Sequence, residues 1–140
     1  ALNAVIADQL DQIARLTALA VTEAEARREA SATTLRENLA RVLANTEGAD
    51  EARVAQELAL MTVKSDVTEE LDRLRAHIGA ARDLLAETAP VGRKLDFLMQ
   101  EFMREANTLC SKAQALALTR VGLDLKTVID QMREQVQNVE

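Results

Sequence analysis

Gly92 to Lys112, GRKLDFLMQEFMREANTLCSK, reads as one helix with an ordered polar side. Lys94, Glu101, Glu105, Thr108 and Lys112 follow one another at spacings of 7, 4, 3 and 4 residues. At about 100° per residue these five fall in one narrow stripe. A merely solvated helix face needs no such order.

The same periodicity extends outward in both directions. Leu2, Ile6, Leu10, Ile13, Thr17, Ala20 and Ala24 keep one apolar stripe, which predicts a long helix over residues 1–30. SATT (31–34) reads as a break, with Thr34 and Glu37 as a capping box for a second helix along Leu35, Leu39 and Val42. NTEGAD (45–50) is a loop, and Asp50 is placed to cap a helix over about 51–64 along Val54, Leu58 and Met61. The next helix runs to about Glu87 on Val67, Leu71, Leu74, Ile78, Ala81 and Leu85. ETAPVG (87–92), with the only Pro, ends it. Beyond the opening helix, expected to reach Ala117, a last stripe runs through Leu118, Val121, Leu125, Val128, Met132, Val136 and Val139. Gly122 is the expected interruption, if there is one.

This pattern predicts an all-α protein, an elongated antiparallel helical bundle or set of long helical hairpins, in an oligomer. Residues 1–49 read as a helical arm or hairpin, and residues 50–140 as the main helical domain. Composition agrees. In 140 residues there are two Phe and no Trp or Tyr, so the core is aliphatic. Apolar flanks such as Phe97 and Leu123 remain for self-association. Net charge is −6, which disfavours a general polyanion binder. Residues 91–140 nevertheless hold 7 basic and 7 acidic residues, so a nucleic-acid site would be local and lie there. The single Cys110 excludes an intramolecular disulfide and fits a reducing cytoplasm. No run nears the roughly 18 apolar residues of a membrane span, so no membrane partner is expected. The chain opens at Ala1, as a fragment or processed product would.

There is no Gly-rich phosphate loop, no Cys pair for zinc and no His-Glu-x-x-His. Cys110 and His77 would make a nucleophile–base pair in principle, although a lone Cys on an apolar flank is ordinarily packing. The acidic rows offer more. Asp66, Glu70, Arg73 and His77 recur every three or four residues, within an arc of about 60° beside the apolar stripe. Glu101 and Glu105 form a matching row with Lys94 and Lys112 at its ends. Carboxylates four apart can share a divalent metal or move a proton. Plainer readings stand beside these. Asp66 with Glu69, or Thr68 alone, can cap a helix; Glu70 and Arg73 can be an ordinary pair; Lys94, Arg104 and Lys112 can neutralise Glu101 and Glu105 internally.

At these same residues the sequence resembles the YicC/YloC family of bacterial endoribonucleases, in its C-terminal region. The resemblance rests on ELALMTVKSDVTEELDRLRAHI (57–78), GRKLDFLMQEFMREANTLCSK (92–112) and the ending REQVQNVE (133–140), and covers residues 50–140. Departures are Phe102 and Met103, where a smaller aliphatic and a polar residue are expected, and the lack of an Asp after Ser111-Lys112. The resemblance implies internal RNA cleavage, a divalent metal (Mg or Mn), a homo-oligomer that is a hexamer in the full-length protein, and a further N-terminal domain. On that basis Asp66, Glu70, Glu101 and Glu105 are expected as metal ligands. His77 is expected to move a proton beside Glu101 and Glu105. Arg73, Arg93, Lys94, Arg104, Lys112 and Arg133 are expected on RNA phosphates. The rival expectation is a non-catalytic oligomerisation or RNA-clamping module, with the chemistry in the other half of the protein.

Overall fold

Residues 2–45 contain neither Gly nor Pro. In the computed structural model, which describes residues 2–45, 51–87 and 90–138, they form one uninterrupted helix, α1 (Leu2–Asn45). The break expected at SATT is absent. Thr33 instead donates its hydroxyl to the Glu29 carbonyl at 3.2 Å within the helix, and Thr34 is interior. A Ser or Thr hydroxyl bonded to the carbonyl four residues back weakens a helix only slightly and does not end it. The expected cap at Asp50 and the last stripe residue, Val139, lie outside the described residues.

Four further helices follow: α2 (Glu51–Lys64), α3 (Thr68–Ala86), α4 (Gly92–Lys112) and α5 (Leu116–Gln137). No strand occurs among the described residues. α1 packs on α3 and α5, and α4 packs on the same two, so α1 and α4 face each other across the core. α2 packs on α1. The stripes read from sequence are the core. Ile6, Leu10, Ile13, Thr17, Ala20 and Ala24 of α1 are buried, as are Leu118, Val121, Leu125, Val128, Met132 and Val136 of α5. Burial changes within α1 near Arg27, not at residue 49. Beyond that point α1 and α2 bury no residue among those described, and Met61, expected in a stripe, is 62% exposed. The first half of α1 is thus core, because its apolar residues continue the period that α3 and α5 need to cover.

The α4–α5 break differs from both expectations. α4 stops at Lys112, and the turn is made by Gln114 at φ 55, in the left-handed region. No Gly or Pro marks it. Its cause lies in another helix: Arg27 of α1 donates to the carbonyls of Lys112 (2.8 Å), Ala113 and Ser65. Helix ends leave carbonyls without partners, and one guanidinium serves the ends of both α2 and α4. Burial pulls the Arg27 guanidinium below its ordinary pKa. Gly122 lies inside α5, buried, where a Cβ would come within 2.6 Å of Cys110 Sγ. It is there for close helix approach and does not interrupt.

Gly122→Val should therefore lose about 1–3 kcal/mol to overpacking, part of it recovered by Cys110→Ala, measured as a double-mutant cycle in urea. Arg27→Met should cost about 1–3 kcal/mol through carbonyls left without donors, with faster amide exchange at Ser65–Val67 and Lys112–Ala115.

Candidate functional site

The polar stripe of α4 meets the polar row of α3. Glu70 pairs with Lys112, Arg73 with Glu105, and His77 lies against Phe102. Rising numbers on one helix meet falling numbers on the other, so α3 and α4 run antiparallel. Glu70 and Glu105 point inward from the edges of their apolar stripes and are only 2% and 3% exposed. A buried carboxylate needs compensation, and two half-exposed cations supply it. Lys112 Nζ donates to Glu70 Oε1 at 2.7 Å. Arg73 Nε donates to Glu105 Oε1 at 2.9 Å, while its other nitrogens lie 3.5 Å from Glu70 and from Glu69. The Glu105 hydrogen bond holds the Arg73 guanidinium above its ordinary pKa.

Two polar atoms in this seam are buried with no hydrogen-bond partner: Glu70 Oε2 and His77 Nε2. Such atoms are rare in folded proteins. The His77 ring stands edge-on to Phe102, with centroids 5.9 Å apart and planes at 77°. His77, Glu101 and Glu105 each offer one ligand atom within 4.8 Å of the others. Their chemistry fits a divalent cation, and one nitrogen with two carboxylates suits Mn²⁺ better than Mg²⁺, which favours oxygen alone.

Of the expected ligands, Glu101 and Glu105 converge and are joined by His77, expected as a proton carrier. Asp66 and Glu70 are not in that group. Asp66 Oδ1 accepts from the Thr68 backbone N–H (3.0 Å) and hydroxyl (2.6 Å), just ahead of α3, and lies 3.8 Å from Arg28. The expected helix cap is not formed: the N-cap of α3 is Val67, with no side-chain cap bond, and Asp66 instead ties the turn that precedes it. Glu70 is held by Lys112 and Arg73. Among the expected phosphate contacts, Arg93, Lys94 and Arg104 are exposed along α4, and Arg133 is exposed on α5. Arg73 and Lys112 are engaged in the seam. The Cys110–His77 pair does not form: Cys110 Sγ faces Gly122 on α5, and burial pushes its thiol pKa up. Sequence reading missed Arg27, although it stands three residues after Ala24 and continues the buried stripe of α1.

The family profile described as "Endoribonuclease YicC-like, C-terminal" matches residues 20–140. The chain belongs to this family. A probable endoribonuclease YicC of Haemophilus influenzae is 50% identical over 91 residues, which are 65% of this chain and 32% of that protein. One of Clostridioides difficile is 42% identical over 91 residues, 65% of this chain and 31% of the relative. The match thus spans about a third of each relative. No helix among the described residues is long and apolar enough to cross a membrane.

Asp66 yields a pH prediction. Its hydrogen bonds from Thr68 hold the folded carboxyl below the ordinary aspartate value of 3.8. That stabilisation is complete above 3.8 and is lost as pH falls through the lower folded value. Asp66→Ala should lower stability near neutrality and flatten the acid limb of a melting temperature–pH profile, with little change in its alkaline limb.

Proposed function

We propose that this chain is the RNA-cleaving helical part of a cytoplasmic, divalent-metal-dependent endoribonuclease that acts as a homo-oligomer, a hexamer in the full-length protein. The observation that carries the reading is the convergence of His77, Glu101 and Glu105, with a buried His77 nitrogen lacking any partner. These three residues would hold Mn²⁺ or Mg²⁺, which when bound supplies Lewis acidity at the phosphate and a water of lowered pKa. Arg73 fixes one oxygen of Glu105 and leaves the other for the group. Glu101, half-buried at the mouth, takes a proton from a nucleophile held there. Arg93, Lys94 and Arg104 along α4 neutralise flanking phosphates without reading sequence.

A second reading has its own support. Glu70 and Glu105 are already paired with Lys112 and Arg73, as a lattice that sets helix register would require. The seam would then serve assembly or RNA clamping, and the chemistry would lie outside this chain.

Cleavage of an end-labelled structured RNA separates the two. With Mn²⁺, wild-type protein should make internal cuts that chelator abolishes. Glu101→Gln with Glu105→Gln should reduce the rate by about a hundredfold or more at unchanged helicity and mass. Normal cleavage in that variant sinks the metal assignment; a fall in melting temperature or mass without a specific loss of cutting supports the register lattice.

A further inference from the structure

The chain has two phenylalanines, and they are treated oppositely. Phe102 is fully buried, whereas Phe97 is 60% exposed. Phe97, Glu101 and Glu105 follow at four-residue intervals on α4, and each interval turns the helix by about 40°. Burial follows the rotation: Glu105 is inside, Glu101 half-buried, Phe97 outside. The ring therefore stands at the open rim of the His77–Glu101–Glu105 group, one helical turn from Glu101.

Its surroundings are not those of a subunit contact. The residues a turn away on α4 are Arg93, Lys94, Gln100 and Glu101, all polar. The other exposed large apolar residues are elsewhere. Leu116 and Leu123 lie on α5 near the Gly122–Cys110 contact, about 20 Å along α4 from Phe97. Leu60, Met61 and Val63 lie on α2, whose end Arg27 ties to Lys112, about 22 Å away. Val5 and Leu19 belong to α1, across the core. A ring flanked on its helix by Arg93, Lys94, Gln100 and Glu101 lacks the contiguous apolar area of a protein interface. It has what a nucleobase needs: a π-face, and basic side chains for the attached phosphate.

We propose that Phe97 is a stacking platform for an unpaired base of RNA beside the His77–Glu101–Glu105 group, so that the substrate class is RNA single-stranded at that point. A duplex keeps its bases stacked on each other and cannot offer a face to the ring. The proposal rests on the RNA reading of this seam, but it concerns binding and is tested without the reaction.

The test is fluorescence anisotropy of a labelled single-stranded oligoadenylate, and of a blunt RNA duplex, in chelator. Wild type, Phe97→Ala and Phe97→Trp are compared, with mass by light scattering. Phe97→Ala should weaken single-strand binding by about tenfold, leave the weaker duplex binding and the mass unchanged, and Phe97→Trp should retain affinity. Unchanged single-strand binding in Phe97→Ala, no binding by wild type, or a fall in mass in Phe97→Ala overturns it, the last assigning the ring to a contact between copies. Retained binding with no metal-dependent cleavage would instead sink the reaction assigned to this chain while leaving the platform in place.

Discussion

Two carboxylates, those of Glu70 and Glu105, sit almost wholly out of water between α3 and α4, and their need for cations governs how those helices meet. Sliding α3 by one turn against α4 would part Glu105 from Arg73 and Glu70 from Lys112. An unpaired buried charge is far more costly than a misplaced methylene. Apolar stripes alone tolerate such slips, because Leu, Ile and Val substitute for one another in a core. The ion pairs therefore supply the register that the hydrophobic contacts leave loose. With register set, His77 comes opposite Phe102 and beside Glu101, and the candidate centre exists.

Lys112 connects this seam to the rest of the molecule. Its ammonium holds Glu70, while its carbonyl is held by Arg27 of α1. Arg27 also takes the carbonyl of Ser65, where α2 ends and the chain turns toward Asp66 and α3. One residue of α1 thus positions the end of α4, the turn into α5 and the approach to α3. The sparsely buried pair formed by α2 and the outer half of α1 is attached to the core at the same point.

The charges of the seam are arranged by depth. Acids lie at the bottom, Arg73 and Lys112 are half-exposed over them, and Arg93, Lys94 and Arg104 are outermost on α4. Against a net charge of −6, these three exposed cations are local to α4.

Much of this was legible in the sequence, and the reasons are periodic. The stripes of α1, α3 and α5, the ordered stripe of α4, and Glu101 and Glu105 as neighbours follow from 3.6 residues per turn. The cores of α3 and α5 are those stripes. What failed to show was set between helices. No local signal marks Gln114 as the end of the α4 hairpin, because the donors that satisfy its carbonyls come from Arg27, 85 residues away. SATT resembles a break, yet α1 passes through it, since a helix without Gly or Pro continues where nothing better satisfies its backbone. Asp66 and Glu70 lie on the same row as His77, but spacing within one helix says nothing of what the facing helix presents. Thr68 and Arg28 engage the first and Lys112 and Arg73 the second, while Glu101 and Glu105, the latter also bonded by Arg73, come within reach of His77. The sequence by itself determined which faces are apolar and which residue types line the seam. The tertiary structure decided which charges neutralise each other and which three side chains converge, because each pairing depends on the register of two helices joined through the core.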